Sequence, residues 1–443
     1  MTVESLTAPD PDKAALSAYI AEAGRKTWKI DGLPAGLPLR EVRKVGVIGA
    51  GTMGGGIAMN FASAGMPVTI LETKQEALDR GLKVVRTNYQ RSADRGRFPQ
   101  EEVEERMGRL TGTLEMADFA DCDLIIEAVF EDLELKKKIF ASLDTVAKSG
   151  AILGTNTSGL DIDAIAAQTS RPADVIGLHF FSPANVMKLL EIVRADETAD
   201  DVVATCMEIS RQIGKVASLV GVCPGFVGNR ILRARQLQAN KLVYQGVMPW
   251  DVDAALNEFG FKMGPYQMSD LAGLDIGWSK GAATANPIRD ALCEMDRRGQ
   301  KTGAGYYDYD ESRKGSPSEV TAKVIRDVTG VEPSSMSRDE IIETCIFPMI
   351  NQGVRILEDC KTQRPSDIDV IWLNGYGWPS DKGGPMWFGD MVGAKAVLAR
   401  MEKLGADDPE FAPAETLKKL AAEGGRFVDL DLGGLKVGKE KRA

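Results

Sequence analysis

The chain of 443 residues carries 54 basic and 64 acidic side chains, a formal net charge of −10, with 44% apolar and 27% charged residues. That length holds roughly two to four domains and excludes a single small module. The apolar and charged fractions leave little room for extensive disorder, and the acidic balance argues against nucleic acid as a partner. Six cysteines, Cys122, Cys206, Cys223, Cys293, Cys345 and Cys360, form no C-x-x-C pair and have no histidine nearby, so neither a metal site nor a disulfide framework is expected. Residues 1–10 are acidic and lack an apolar signal core, and no uninterrupted apolar stretch reaches the length of a membrane span. The chain reads as cytoplasmic.

A helical pattern over residues 12–30 is followed by DGLPAGLPL, so residues 1–40 read as a leader helix and linker. Residues 44–72, KVGVIGAGTMGGGIAMNFASAGMPVTILE, then read as a strand, a glycine turn, a helix, a second strand and a terminal acid. In that order the glycines of G-x-G-x-x-G have separate jobs. Gly49 makes the tight turn, Gly51 lets backbone N–H groups approach a pyrophosphate, and Gly54 lets the helix lie close on the sheet, while Thr52 and Met53 open a helix whose N-terminus faces the anion. Glu72 lies 21 residues beyond Gly51, close to the spacing of about 20 expected for the acid that bonds a ribose 2′-OH. A glycine-rich loop also occurs as a plain α/β turn, but two apolar strands and the downstream acid favour a dinucleotide site. A carboxylate there repels a 2′-phosphate, which favours NAD over NADP.

The next long helical stretch carries Lys83, Arg86, Arg91, Arg95 and Arg97, to be read either as a solvated face or as a phosphate-binding surface for an anionic substrate, and an acidic helical stretch runs on to Met107. Strands are expected over 122–129, 151–155, 175–181, 190–194 and 215–220, with helices between them at 132–147, around 161–168, and up to about 213. This alternation gives the fold class, α/β, with a Rossmann-type, mostly parallel sheet domain over residues 41–222. From Pro224 onward helical patterns dominate. PWDVDAAL at Pro249 returns as PSDIDVIW at Pro365, 116 residues on, and MGPYQMSDLAG returns as GGPMWFGDMVG 120 residues on, so the all-α region reads as duplicated, with domains over 223–330 and 331–443.

His179 is the one histidine in the chain and ends a predicted strand in GLHFFSP. Oxidation of an alcohol needs a base of near-neutral pKa, and no other imidazole is present. A histidine between apolar residues is by itself more often a satisfied core residue. Its neighbours change that balance: Glu191 lies on the next predicted strand, where its carboxylate can meet the imidazole, Ser158 ends the preceding strand in NTSGL, and Asn229 lies in PGFVGNR where the helical region begins. A base, its orienting acid and two polar side chains for a substrate oxygen make a hydride-transfer site.

On these motifs the sequence resembles the 3-hydroxyacyl-CoA dehydrogenase family over about residues 40 to 430. The glycine loop GAGTMGGGIA, NTSG at Asn156, HFFSP at His179, MKLLEIV at Glu191 and PGFVGNR at Asn229 match the family's motifs. The resemblance implies NAD-dependent oxidation of an (S)-3-hydroxyacyl-CoA, with Ser158, His179, Glu191 and Asn229 as the active-site set, Ser158 and Asn229 touching substrate, and Glu131 and Lys136 in VFEDLELK as further NAD contacts. It places Asn88 and Arg95 near the CoA. The stretches FGFKMGPYQMSDLAGLDIG and WLNGYGWP resemble the dehydrogenase half of multifunctional β-oxidation enzymes, and 40 residues ahead of the glycine loop are too few for their hydratase domain. Gly159 departs from the family's second serine. Two competing readings are a dehydrogenase of a small free 3-hydroxy acid and a catalytically silent NAD-binding protein of the kind lens crystallins represent; the single-histidine site, which resembles that of CoA-ester enzymes, argues against the first, and the complete Ser158, His179, Glu191 and Asn229 set against the second. Relatives with one helical unit pair through it, so two units in one chain favour a monomer with an internal pseudo-dimer over a homodimer.

Overall fold

The four residues of β1 (Val45–Ile48) are all buried in the computed structural model, which describes residues 12–281 and 283–435. They lie inside an eight-stranded sheet with β2 (Val68–Leu71), β3 (Leu110–Thr113), β4 (Leu124–Glu127), β5 (Ile152–Thr155), β6 (Val175–Phe180), β7 (Leu189–Arg194) and β8 (Val216–Gly221), in the order β3-β2-β1-β4-β5-β6-β7-β8. The first six strands in space run parallel, β7 turns antiparallel to β6, and β8 runs parallel to β7. The order reverses direction between β1 and β4. In such a sheet ligands bind outside the carboxyl ends of the strands at that switch.

Helices α2 (Thr52–Ser63), α3 (Gln75–Asp94), α4 (Glu101–Gly108), α5 (Leu133–Val146), α6 (Ile162–Ala166) and α7 (Asp200–Gln212) connect these strands. α2 buries nine consecutive residues from Gly54 to Ala62, a nearly all-round burial that its glycines and alanines permit. A Cβ on Gly54 would stand 1.9 Å from the Gly49 carbonyl oxygen, so only glycine lets the helix start this close to the turn. The acids before α5 and α6 are N-caps: the Asp132 carboxylate accepts from Leu135 N–H and that of Asp161 from Ala164 N–H. The leader helix α1 (Lys13–Lys26) buries Leu16 and Ala23, and just beyond it Thr27 Oγ1 donates to the Ala217 carbonyl at 2.8 Å, so this segment packs down on the sheet. Residues 1–10, read above as an acidic start, lie outside the described residues. Among the described residues no helix is long and apolar enough to cross a membrane.

The remaining elements are α8 (Gly228–Tyr244), α9 (Pro249–Phe259), α10 (Pro265–Ala272), α11 (Pro287–Glu294), β9 (Tyr307–Tyr309), β10 (Gly315–Pro317), α12 (Glu319–Thr329), α13 (Arg338–Glu358), α14 (Pro365–Gly375), α15 (Pro385–Val392), α16 (Ala394–Asp407) and α17 (Glu415–Glu423). α9 and α14 both open on a proline, as do α10 and α15, at the repeat distances of 116 and 120 residues. Each copy also carries a buried aspartate at the same place, Asp253 in α9 and Asp369 in α14. The chain forms two compact units. One comprises Ala14–Arg230, Arg355–Tyr376 and the described residues from Val428 onward; the other is built mainly from Ile231–Val354 and Gly377–Phe427. Within the first, α14 packs on β7 and β8.

Four elements go beyond the sequence reading. β3 was not expected, because LTGT is polar and only Thr113 is buried, as an edge strand allows. The polar stretch from Tyr307 onward forms the β9–β10 hairpin and α12. What holds the hairpin is a buried acid: the Asp270 carboxylate accepts from Tyr306 N–H, Tyr307 N–H and Tyr309 Oη at 2.9, 3.0 and 2.9 Å.

Candidate active site

The loops that follow β1, β4 and β5 leave the sheet at its carboxyl edge, and each carries residues expected at the site, while His179 stands near the end of β6 itself. After β1, Gly49 has φ of 102°, and a Cβ there would sit 2.8 Å from the Ala128 carbonyl oxygen, so the turn at the switch point requires glycine. A Cβ on Gly51 would meet nothing within 4 Å, and no side chain caps the N-terminus of α2 that begins at Thr52 and Met53. Free N–H groups facing open space fit a diphosphate. Glu72, just past β2, turns one carboxylate oxygen to Ala50 N–H at 3.0 Å and the other to Thr73 N–H at 3.0 Å, bracing the glycine loop from beside it. The residues present therefore fit a dinucleotide.

After β4 and β5 a polar network takes over. Lys136 is fully buried and donates to Glu127 Oε1 at 2.6 Å, while Glu127 Oε2 accepts from Thr155 Oγ1 at 2.7 Å. Lys136 also lies 3.6 Å from Glu131. Glu131 Oε1 accepts from Thr157 Oγ1, Ser158 N–H and Ser158 Oγ at 2.7, 2.7 and 2.9 Å. Burial works against the charge of Glu131, but these hydrogen bonds and the Lys136 ammonium outweigh it and hold the carboxyl below its usual range. Asn156 Oδ1 accepts from Phe180 N–H at 2.9 Å, tying the loop after β5 to β6.

His179 and Glu191 are register partners across β6 and β7. Both are buried, at 5% and 0% exposure, and His179 Nδ1 lies 2.7 Å from Glu191 Oε2. The imidazole is flanked by Phe181 and Phe226, with ring centroids at 4.4 and 5.6 Å. With Nδ1–H donated to the carboxylate, Nε2 is left as a proton acceptor. Glu191 Oε1 accepts from Gly228 N–H at 2.9 Å, at the start of α8. The next residue is Asn229, whose Nδ2 lies 3.4 Å from the Ser158 carbonyl oxygen and whose Oδ1 accepts from Tyr376 Oη at 2.7 Å. The chain enters α8 through Gly225 and Phe226, with φ of 75° and 48°; a left-handed phenylalanine costs on the order of 1–3 kcal/mol, and here the conformation sets its ring beside the imidazole.

The four candidates His179, Glu191, Ser158 and Asn229 thus belong to one connected set, linked through the Gly228–Asn229 peptide and continued by Glu131 to Lys136. Asn88 and Arg95 stand apart: Asn88 is half-buried in α3, Arg95 is its exposed C-cap, and among the described residues neither bonds to that set. At Gly159 a Cβ would stand 2.7 Å from Gly225 N, so a serine there would collide with the turn that leads into α8. The sequence reading missed Glu127, Thr155, Thr157 and Tyr376. An acid closing the apolar run LIIE was a signal for the first; nothing local marked the others.

The 3-hydroxyacyl-CoA dehydrogenase NAD binding domain matches residues 44–223, and the C-terminal domain of the same family matches residues 225–309. The peroxisomal bifunctional enzyme of Cavia porcellus is 42% identical, over 93% of this chain and 61% of its own length. The crystal structure of the dehydrogenase part of multifunctional enzyme 1 from C. elegans has a TM-score of 0.66 at 30% identity, covering 92% of this chain and 96% of that one. The 3-hydroxybutyryl-CoA dehydrogenase from Escherichia coli has a TM-score of 0.73 at 26% identity, covering 87% and 99%. The chain spans about three-fifths of the length of the bifunctional relative. With its glycine-loop sheet domain carrying the NAD-binding match and its helical region carrying the C-terminal one, the chain belongs to the 3-hydroxyacyl-CoA dehydrogenase family.

Proposed function

We propose that the protein catalyses the reversible, NAD-dependent oxidation of an (S)-3-hydroxyacyl-CoA to a 3-oxoacyl-CoA, as the dehydrogenase part of a β-oxidation system. The observation that carries this reading is the 2.7 Å contact between His179 Nδ1 and Glu191 Oε2 beside the fold's dinucleotide edge. Bound NAD would supply the hydride acceptor for C3. His179 Nε2 takes the hydroxyl proton as the carbonyl forms, and Glu191, already paired with Nδ1, stabilises the resulting imidazolium. Ser158 and the amide of Asn229 hold the C3 oxygen. Gly49, Gly51, Thr52, Met53, Gly54 and Glu72 hold the cofactor's diphosphate and adenosine ribose, while Glu131 and Lys136 set the loop beside the nicotinamide. Asn88 and Arg95 on the α3 side take the CoA.

We further propose that the helical copies over 223–330 and 331–443 make an internal pseudo-dimer, which light scattering tests: a mass near the 47.8 kDa of one chain supports it and a dilution-independent doubling rejects it. Whether the location is cytoplasmic, or peroxisomal as the name of the related bifunctional enzyme has it, is decided by cell fractionation. Substrate class is tested by NADH oxidation with acetoacetyl-CoA against free acetoacetate. Turnover of the thioester supports the proposal; preference for the free acid, or turnover of neither, overturns it.

A further inference from the structure

Resting on the site just proposed, we infer that Tyr376, supplied by the second helical copy, is a positioning residue for the reaction: its hydroxyl fixes the side-chain amide of Asn229 so that the amide N–H is the end left to donate to the substrate oxygen. An asparagine amide has an acceptor end and a donor end of nearly equal size, and a half-turn exchanges them. Only the donor end can stabilise an alkoxide or ketone oxygen at C3. A carbonyl turned the same way would repel it.

Tyr376 Oη lies 2.7 Å from Asn229 Oδ1 and must be the donor in that bond. Burial, and after it the nearby charge of Glu191, pushes the phenol well above its usual range, so it keeps its proton. With Oδ1 engaged, Nδ2 carries two hydrogens, and its neighbour among the described residues, the Ser158 carbonyl at 3.4 Å, is a long contact for one of them. The tyrosine is held in place by its ring. It stacks on Trp372 with centroids 4.5 Å apart and meets Phe181 edge-on at 5.3 Å, and Phe181 is the ring that lies against His179.

Two glycines make room for this approach. A Cβ on Gly228 would stand 2.3 Å from Tyr376 Cε2 and 2.4 Å from its Oη, and a Cβ on Gly375 would stand 2.3 Å from Leu189 Cδ2. The repeat adds an independent observation. Tyr376 is the C-cap residue of α14, and the equivalent place in the first copy, 116 residues earlier, is Gly260, the C-cap of α9 with φ of 125°. A glycine is the ordinary choice where a helix ends with positive φ. The second copy has instead a tyrosine whose hydroxyl reaches Asn229, so this copy contributes to the chemistry as well as to burial.

The test is a double-mutant cycle on the whole chain, reading kcat and KM for acetoacetyl-CoA reduction by NADH. Tyr376→Phe keeps the ring packing and removes the hydroxyl. It is expected to lower kcat about tenfold with KM for NADH unchanged, a fraction of the 10²–10³ that loss of a whole oxyanion donor typically costs. Asn229→Ala is expected to lower kcat about 10²-fold. In the Asn229→Ala background Tyr376→Phe is expected to have no further effect, because its action runs through that amide; a merely structural tyrosine would lower the rate in both backgrounds alike. If Asn229→Ala slows the reaction while Tyr376→Phe leaves kcat within twofold, or if the two losses multiply, the inference is overturned and the site reading stands. If Asn229→Ala itself leaves kcat unchanged, the site reading falls and the inference with it.

Discussion

Glu191 faces His179 directly across the antiparallel β6–β7 pair and holds two partners, the imidazole through Oε2 and Gly228 N–H through Oε1. One buried carboxylate thus fixes both the tautomer of the base and the start of the helix that presents Asn229. Glu191→Gln replaces one acceptor oxygen by an NH₂ group. If the NH₂ faces Gly228, that N–H loses its acceptor, at a cost of about 1–3 kcal/mol for a buried donor; if it faces Nδ1, the imidazole must take the other tautomer, with Nε2 protonated and no longer able to act as the base. We expect kcat to fall by on the order of 10²–10⁴, with NAD affinity unchanged. Steady-state kinetics with cofactor titration checks this, and a kcat within threefold of the parent would show that the pairing does not serve the base.

Glu72 accepts Ala50 N–H in the glycine loop, a role additional to the ribose contact expected from its spacing. Glu72→Ala should therefore weaken NAD binding by about 10- to 100-fold, since hydrogen bonds to a charged group are worth about 1.5–3 kcal/mol. Relative preference for NADP should rise, because the charge that repels a 2′-phosphate is gone. KM for the acyl-CoA should stay as it was. Calorimetric titration with both cofactors would expose an unchanged NAD affinity, which would assign ribose recognition to another residue.

The parts of the protein that were legible in the sequence are those set by short-range pattern. The glycine loop follows β1 at once, and Glu72 ends the next strand, so strand, turn, helix and acid could be read in order. Glu191 was expected to meet His179 because the two sit on successive predicted strands, and the observed register sets them directly opposite one another. What escaped depends on distance in the chain. Tyr376 meets Asn229 across 147 residues, and no local signal in WLNGYGWP marks its target. Glu127 meets Lys136 nine residues on, yet in sequence Lys136 is one of three consecutive lysines and looks solvated. β3 was lost for another reason: an edge strand needs little apolar surface, so LTGT carries no periodic pattern.

Asp367 offers a pH-dependent measurement away from the chemistry. Its side chain is buried, its Oδ1 has no hydrogen-bond partner among the described residues, and Arg364 is 3.6 Å from its other oxygen while also bonding Asp31 and the carbonyls of Lys26 and Lys29. Burial, against the opposing charge of Arg364, pushes the carboxyl up to about 7. In the unfolded chain an aspartate titrates near 3.9. The folded group holds its proton more tightly, so its contribution to stability is fully present below about pH 4, declines as pH rises towards 7, and stays lost above that. Asp367→Asn keeps the shape and the neutral form, so it should match the parent at pH 4 and exceed it at pH 8, each tenfold change in proton affinity being worth about 1.4 kcal/mol. Denaturant midpoints at the two pH values check the sign. A variant less stable than the parent at pH 8 would mean that the carboxylate is ionised and favourably paired.

The role of His179 as the base is tested by the rate of acetoacetyl-CoA reduction by His179→Ala beside the parent protein, with NADH binding measured on both. Turnover by the parent and a loss of about 10²–10⁴ in kcat for the variant are expected, with cofactor affinity unchanged because the imidazole lies on β6 and the glycine loop follows β1. A variant that stays folded, binds NADH and keeps its rate within tenfold of the parent would contradict that role.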